Sequence, residues 1–175
     1  MIIPPAPDPS TTLVVRRAFT ASRQRVFRAW IEPEALEQWF RPRGMSVTVR
    51  SLDARVGGSF HFDLEDGSCI AGTYLQIVPP KKLVYTWSGG AEQGWETVVT
   101  LDFLEQGAVT EVVLTHEGLS TPARRALAEG GWPSLFDALA EVLSSPISTS
   151  DALFALSLHS ARFRLSRKVF KQAPP

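Results

Sequence analysis

The side chains with the clearest chemical potential are a histidine and a glutamate that follow each other at the end of a predicted strand. His116 titrates near neutral pH, and a carboxylate held against it would orient the ring and raise its pKa, as an acid–base pair requires. Adjacent residues of a strand point to opposite faces of the sheet, so the side chains of His116 and Glu117 should not meet. The spacing therefore favours a structural histidine over a catalytic one.

Other reactive side chains occur without the neighbours that their chemistry requires. Cys69 is the single cysteine, which excludes a disulfide within the chain and a multi-cysteine zinc site. The three histidines, His61, His116 and His159, are scattered and show no His-x-x-x-His spacing. The serines form no Gly-x-Ser-x-Gly elbow, and Gly57-Gly58 lacks the lysine and hydroxyl of a phosphate loop. We therefore predict no metal, no cofactor and no catalytic triad.

Large apolar side chains are the remaining candidates for a functional site. In several predicted strands aromatic residues alternate with others, which places the rings on one face of the sheet. Pockets for small molecules are mostly apolar, with a few polar groups that orient the guest. The predicted ligand-binding residues are Trp39, Phe60, Phe62, Tyr74, Tyr85, Trp87, Trp132, Phe136 and Leu139. The alternative is that these side chains only fill the core, because aromatic periodicity is first a packing signal.

The amino-terminal part of the chain predicts one strand followed by two short helices. The run LVVRRAFT from Leu13 is β-branched and aromatic, as strands are. Ser22 is placed to cap a helix that carries apolar side chains at helical spacing from Val26 onward. Pro33 ends this helix, because the residue before a proline avoids helical geometry, and it opens a second short helix.

The middle of the chain predicts six further strands, and the end predicts a helix. Asp66-Gly67 marks a tight hairpin, and the other connections are also short. Short connections indicate an antiparallel meander, because parallel strands need long crossovers. After Gly118 the spacing of the apolar residues becomes that of a helix. Gly130-Gly131 interrupts the helix propensity, and an apolar stripe then runs from Trp132 to Leu143.

This order of elements, β-α-α-β-β-β-β-β-β-α, predicts an α+β fold in which a curved antiparallel sheet wraps around a long carboxy-terminal helix. A long antiparallel sheet twists and curls, and one helix laid in its concave face does not fill the whole hollow. The sequence therefore predicts a pocket between the sheet and this helix.

Composition narrows the class of protein. The 175 residues contain 18 basic and 18 acidic side chains, and this balance gives no reason to expect nucleic acid as a partner. No apolar run approaches the roughly 20 residues that cross a bilayer, and the first residues do not resemble a secretory signal. We expect a cytoplasmic protein without stable membrane association. These patterns leave its oligomeric state open.

Three regions are expected along the chain. A flexible proline-rich leader covers residues 1–11, one domain covers 12–145, and a weakly ordered extension covers 146–175. The stretch 151–175 holds five basic side chains against a single acidic one, Asp151. The alternative interpretation of this basic extension is a docking segment for an acidic protein partner.

A series of short segments resembles, in order, the signatures of bacterial homologues of the heat-shock-protein-90 ATPase activator. The opening signatures match Arg17–Phe19, Ala21–Ser22, Val26–Trp30, Glu32–Leu36 and Gln38–Phe40. The later ones match Val56–Phe60, Gly72–Tyr74, Pro79–Leu83, Tyr85–Trp87, Thr115–Gly118 and Gly131–Trp132. The resemblance covers Leu13 to Leu143 and implies the helix-grip fold of the START-related, birch-pollen-allergen-like superfamily (SRPBCC).

A shared fold does not carry a shared activity, so the resemblance leaves three hypotheses about function open. Some members of this superfamily bind apolar ligands, and the leading hypothesis is a module that encloses an apolar or amphipathic small molecule. Other relatives are polyketide cyclases, so the second hypothesis is a cyclase- or hydrolase-like enzyme that uses the same cavity, with His116 or Tyr74 as its polar group. The third is a protein-interaction domain that acts like a chaperone activator.

Overall fold

The structure is a computed structural model that describes residues 8–89 and 95–145. Of the leader predicted over 1–11, residues 1–7 lie outside the described residues, and so does the whole extension predicted over 146–175. In the described ranges, no helix is long and apolar enough to cross a bilayer.

Seven strands form one antiparallel sheet, with the spatial order β1-β7-β6-β5-β4-β3-β2. Strands β2 to β7 pair consecutively, as the short connections predicted, and β1 pairs with β7 at the far side. The strands are β1 Leu13–Phe19, β2 Val47–Leu52, β3 Ser59–Leu64, β4 Cys69–Val78, β5 Lys82–Gly89, β6 Thr97–Gln106 and β7 Val109–Glu117.

Alternation along the strands decides which face of the sheet is buried. In β3, Phe60, Phe62 and Leu64 are buried while the residues between them are partly exposed. In β6, the buried face begins at Thr97 and ends at Phe103. Because successive strand residues point to opposite faces, this period gives the sheet one apolar side, and the core forms there.

Two short helices lie between β1 and β2. Helix α1 (Arg23–Arg28) begins after Ser22, whose hydroxyl accepts a hydrogen bond from the Arg25 backbone N–H at 3.4 Å, as the sequence predicted for a cap. Helix α2 (Pro33–Trp39) begins with its proline, and a 3-10 turn, Pro42–Gly44, follows it.

Helix α3 (Pro122–Ser144) is continuous, although the glycine pair was expected to interrupt it. Each glycine costs about 1 kcal/mol relative to alanine in a helix interior. The same helix buries Trp132, Phe136 and Leu139, and full burial of each large apolar side chain contributes about 1.5–3 kcal/mol. Tertiary burial therefore outweighs the weak local propensity of Gly130 and Gly131.

The sheet, the two short helices and α3 together form the α+β, helix-grip architecture that the sequence predicted. Helix α3 contacts β1, α2 and the 3-10 turn. Helix α3 therefore packs against one end of the sheet order and against the segment between the first two strands, and the candidate site lies between α3 and the sheet.

Candidate functional site

A cavity of about 290 Å³ lies between helix α3 and the sheet. Its walls come from the 3-10 turn, from β3, β4, β5 and β7, from the segments that flank β6 and α3, and from α3 itself. The lining residues are Pro42, Arg43, Leu64, Ile70, Trp87, Gly89, Trp95, His116, Leu119, Ala123, Arg124, Leu127, Ala128, Gly131, Trp132 and Leu135.

Small side chains on α3 leave the space that forms this cavity. The helical residues in the lining recur three or four positions apart, so they share one face of the helix. Three positions on this face, Ala123, Ala128 and Gly131, carry little or no side chain. A Cβ atom added at Gly131 would meet nothing within 4 Å, so the helix passes this part of the sheet without filling the gap.

The cavity extends from the solvent into the core. At its buried part, Trp132 is 3% exposed, and the rings of Trp132 and Trp87 lie 5.3 Å apart. Leu119 and Leu135 are also buried. At its rim, Leu127 is 69% exposed although it is a large apolar residue. The cavity therefore opens beside the first turns of α3 and reaches two indole rings in the core.

A chain of hydrogen bonds crosses the buried wall of the cavity. The indole N–H of Trp132 donates to Nδ1 of His116 at 3.0 Å. The other ring nitrogen, Nε2, lies 2.8 Å from the hydroxyl of Thr97, which itself donates to the Trp87 carbonyl at 3.0 Å. An indole N–H can only donate, so Nδ1 accepts and Nε2 carries the proton of a neutral imidazole. Each of the polar side-chain atoms in this series of hydrogen bonds then has a partner.

Burial fixes the charge state of this histidine. Desolvation lowers the pKa of His116 from 6.5 to about 4, because the ring would have to carry its charge away from water. Protonation would also place an N–H on Nδ1 opposite the N–H of Trp132, so two donors would face each other. His116 is therefore neutral near pH 7, and both of its nitrogens are engaged. In this arrangement His116 links Trp132 of α3 to Thr97 of β6.

Two arginines contribute the charge of the lining. The guanidinium of Arg124 lies over the ring of Trp95, 4.5 Å from its centroid, and donates to the Ser120 hydroxyl at 3.2 Å. Arg43 comes from the 3-10 turn, is largely exposed, and pairs with Asp66 at 3.1 Å. Arg43 is therefore nearer to solvent than Trp132, whereas Arg124 is half-buried against an indole ring of the lining.

A family model described as Activator of Hsp90 ATPase homolog 1-like protein matches residues 20–144 of the chain. This match extends from the end of β1 to the last residue of α3 and so includes the cavity. The chain belongs to this family. The resemblance drawn from the short sequence segments is thereby confirmed.

Two relatives of the Activator of Hsp90 ATPase homolog 1-like family are mammalian. The human protein "Activator of 90 kDa heat shock protein ATPase homolog 1" is 23% identical over 123 residues, which make up 70% of this chain and 34% of the human protein. The mouse protein of the same name is 22% identical over 123 residues. The chain thus spans about a third of the length of the curated relatives it matches.

Solved bacterial structures share the fold of this family member. Protein CV1439 from Chromobacterium violaceum superposes with a TM-score of 0.68 at 25% identity, over 78% of this chain and 99% of that one. Protein MLL2253 from Mesorhizobium loti gives 0.65 at 28% identity, over 75% and 96% of the two chains. These likenesses confirm the α+β helix-grip architecture.

The nine predicted ligand-binding residues divide between the cavity and the core. Trp87 and Trp132 line the cavity. The other seven are not among its lining residues, and each is at most 5% exposed in the packed core: Trp39, Phe60, Phe62, Tyr74, Tyr85, Phe136 and Leu139. A direct role for these seven in binding stays a prediction.

One of the seven lies directly behind the cavity wall, since the ring of Tyr85 is 6.4 Å from that of the lining residue Trp87. The ring of Phe40 lies 5.7 Å from Phe62 and 5.9 Å from Trp87, so it connects the core to the lining. The indole N–H of Trp39 donates to the Ala29 carbonyl at 2.8 Å. Burial raises the pKa of both Tyr74 and Tyr85, so their phenols stay neutral.

Sequence reasoning missed the small and charged members of the lining. Gly131 was taken as a helix interruption, while Ala128 and Arg124 were not singled out at all. The available signal was the spacing of Ala128, Gly131 and Leu135, which places two small residues on the inward stripe of an otherwise bulky helix. Such a gap in a buried stripe indicates unfilled space opposite it.

Among the described residues, the other reactive side chains considered above, His61 and Cys69, are not part of the cavity lining. His61 lies 3.2 Å from Asp63 through Nε2, and Cys69 is half-buried in β4. Arg17 pairs with Asp137 at 2.9 Å, and both side chains are exposed. Over the described part of the chain, no three or more His, Cys, Asp or Glu side chains are grouped so as to hold a metal ion.

Proposed function

We propose that this family member binds a small apolar or amphipathic molecule, in the cytoplasm, within the cavity between its sheet and helix α3. The observation that carries the proposal is the space of about 290 Å³ beside Gly131, which neither the helix nor the sheet fills. A volume near the lower end of the roughly 300–1,000 Å³ typical of ligand pockets suits a small guest.

The chemistry of the wall supports an apolar guest. Most lining residues are apolar, and the Trp132, His116 and Thr97 polar atoms are already hydrogen-bonded to one another. An apolar guest against this part of the wall would therefore leave the polar atoms of Trp132, His116 and Thr97 with their partners. Burial of its apolar surface contributes about 25 cal/mol per Å² before the costs of association.

Two adjacent glycines provide a matched test of this proposal. Gly131 lines the cavity and Gly130 is exposed, and a Cβ added at either one meets nothing within 4 Å. Leucine is a better helix former than glycine at both positions. Gly131→Leu fills the cavity, and we expect it to weaken binding of the neutral probe N-phenyl-1-naphthylamine at least about tenfold, since the buried space is lost.

The control is Gly130→Leu, which we expect to bind the probe as the natural chain does. Probe fluorescence and thermal unfolding are measured for all three chains. Loss of binding in a Gly131→Leu chain that melts no earlier than the natural one supports the cavity as the site. Equal binding by both variants, or no binding by the natural chain, contradicts the proposal.

A cyclase- or hydrolase-like reaction has less support than binding. Its candidate polar groups were His116 and Tyr74. Both nitrogens of His116 are engaged in hydrogen bonds, and its lowered pKa leaves it a weak base. Tyr74 is not among the cavity-lining residues, and its raised pKa keeps the phenol protonated.

The second candidate function is activation of a chaperone ATPase through a protein partner. Membership of a family described by Activator of Hsp90 ATPase homolog 1 favours it, as does the name of the human relative. The ATPase rate of an Hsp90-type chaperone, measured with and without the full chain, tests this candidate. A rate that does not rise with added chain contradicts it.

A further inference from the structure

Two indole rings lie side by side in the cavity wall, and only one of them has its N–H engaged by a described residue. The rings belong to Trp87 and Trp132, with centroids 5.3 Å apart. The N–H of Trp132 donates to Nδ1 of His116 at 3.0 Å. The N–H of Trp87 makes no hydrogen bond to a described residue, although its backbone carbonyl accepts one from Thr97. Because an indole N–H only donates, Trp87 needs an acceptor.

The N–H of Trp87 is open to a guest, unlike two other indole donors without partners. The indole nitrogens of Trp30 and Trp95 also lack a partner among the described residues, but both are completely enclosed. The nitrogen of Trp87 does not belong to this enclosed set, and Trp87 is half-buried in the cavity lining. An acceptor within the cavity therefore reaches Trp87 more readily than Trp30 or Trp95.

Neighbouring rings hold the Trp87 side chain in position. The centroids of Phe40, Tyr85 and His116 lie 5.9, 6.4 and 6.4 Å from that of Trp87. Close packing on several sides restricts rotation of the indole. The donor is thus placed before a guest arrives, and forming a hydrogen bond to it costs little additional ordering of the protein.

The groups around Trp87 favour an uncharged acceptor. Burial lowers the pKa of His116 and raises the pKa of Tyr85, so both neighbours are neutral near pH 7. Both arginines of the lining are already bonded to other residues. An ion against Trp87 would therefore lose its hydration without gaining a free opposite charge. A carbonyl oxygen accepts hydrogen bonds, is neutral, and brings no donor that would need a partner in the wall.

We propose that the guest of this cavity is an apolar molecule that carries a neutral carbonyl group, whose oxygen accepts a hydrogen bond from the indole N–H of Trp87. Its apolar part lies against Trp132, Leu119 and Leu135, which are buried members of the lining. The inference rests on the function proposed above and adds the chemical class of the ligand.

Two probes of the same shape isolate the hydrogen bond. They are heptan-2-one and 2-methylhept-1-ene, in which a CH₂ group replaces the carbonyl oxygen. Each is titrated into the full chain, and the indole N–H signals are recorded in a ¹H–¹⁵N spectrum. We expect heptan-2-one, but not the alkene, to move the Trp87 proton downfield, as donation to a carbonyl does. Trp39 is the internal reference, because its N–H already donates to the Ala29 carbonyl at 2.8 Å.

Variants then assign the effect to one side chain. The alkene leaves water more readily than the ketone, so the ratio of the ketone affinity to the alkene affinity is compared between chains. Trp87→Phe keeps an aromatic ring without the N–H, and we expect it to lower this ratio about fivefold. Trp95→Phe is the control, since it changes an indole of the same lining whose N–H is enclosed, and the ratio should stay within about twofold.

The outcomes separate this inference from the proposed function. If both probes bind and the Trp87 proton responds to them equally, the carbonyl assignment is overturned and the cavity remains a binding site. A ratio that Trp87→Phe leaves unchanged, or that Trp95→Phe lowers as much, overturns the role of Trp87. Thermal unfolding checks that each variant is folded, and the Trp87 signal of the natural chain decides the matter without any variant. If neither probe binds, the proposed function itself fails.

Discussion

At the scale of single residues, the most informative group is the buried chain from Trp132 through His116 and Thr97 to the Trp87 carbonyl. It joins α3 to β7, β6 and β5 and lies in the wall of the cavity. A neutral imidazole fits this chain because it accepts at one nitrogen and donates at the other. Through its two ring nitrogens the histidine thus links α3 to the sheet.

The lowered pKa of His116 makes a prediction about stability and pH. The unfolded chain takes up a proton near pH 6.5, whereas the folded chain resists it until about pH 4, so the unfolded state binds more protons between these values. Stability that is present above pH 6.5 is therefore lost as pH falls toward 4. We expect His116 to account for a loss of about 2 kcal/mol between pH 7.5 and pH 5, measured by urea unfolding.

His116→Gln provides the control for this measurement, because an amide also has one acceptor and one donor end but does not titrate in this range. The variant should be less stable than the natural chain at pH 7.5, and the difference should shrink by about 2 kcal/mol at pH 5. A difference that stays constant between the two pH values would show that His116 titrates normally in the folded protein.

At the scale of elements, two glycines show how tightly the surroundings of strand β4 and of helix α3 are packed. Gly72 in β4 faces a tight approach, since a Cβ there would overlap the Thr86 carbonyl oxygen and meet the ring of Phe60. Gly130 in α3 has open space instead. A glycine-to-alanine substitution should therefore lower the stability at Gly72 and raise it at Gly130.

We expect Gly72→Ala to cost about 2 kcal/mol or more of unfolding free energy, because backbone and ring must shift. We expect Gly130→Ala to add about 0.5–1 kcal/mol, because alanine restricts the unfolded chain and suits a helix interior. Denaturant unfolding of both variants checks the pair. A Gly72→Ala chain as stable as the natural one would contradict the packing of β4 against β5 described above.

The elements themselves were predictable from sequence. Alternation in runs such as SFHFDL showed which strand face is buried, and Ser22 and Pro33 marked where the short helices begin. The continuity of α3 was not predictable from local propensity. It depends on burial of Trp132 and the residues after it, which is a tertiary effect.

The candidate site was only partly predictable, for a physical reason. Alternation shows that Phe60 and Tyr85 point inward, but not whether another side chain or a space lies opposite them. Both meet other rings, including each other at 5.5 Å. Trp132 meets His116 across 16 positions of sequence, and that contact exists only once α3 has packed on the sheet. Which residues line the cavity is therefore decided only when the helix packs on the sheet.

At the scale of the whole molecule, the cavity follows from a curved sheet and a helix with too little bulk at two inward positions. The sheet supplies Trp87 and His116, the helix supplies Arg124 and Trp132, and Gly131 leaves room between them. In the buried wall, Trp132, His116 and Thr97 are joined by hydrogen bonds, and Arg43 and Arg124 give the lining its positive charge. This arrangement is the basis of the binding function proposed above.

The most direct test is to observe where a guest lies, through the indole N–H signals of the five tryptophans in a ¹H–¹⁵N spectrum. Trp87, Trp95 and Trp132 line the cavity, whereas Trp39 is fully buried and hydrogen-bonded to Ala29 outside the lining. On titration with octanoate, the account predicts large shifts for the three lining indoles and little for Trp39. No shifts at saturating octanoate, or shifts that spare Trp87, Trp95 and Trp132, would contradict it.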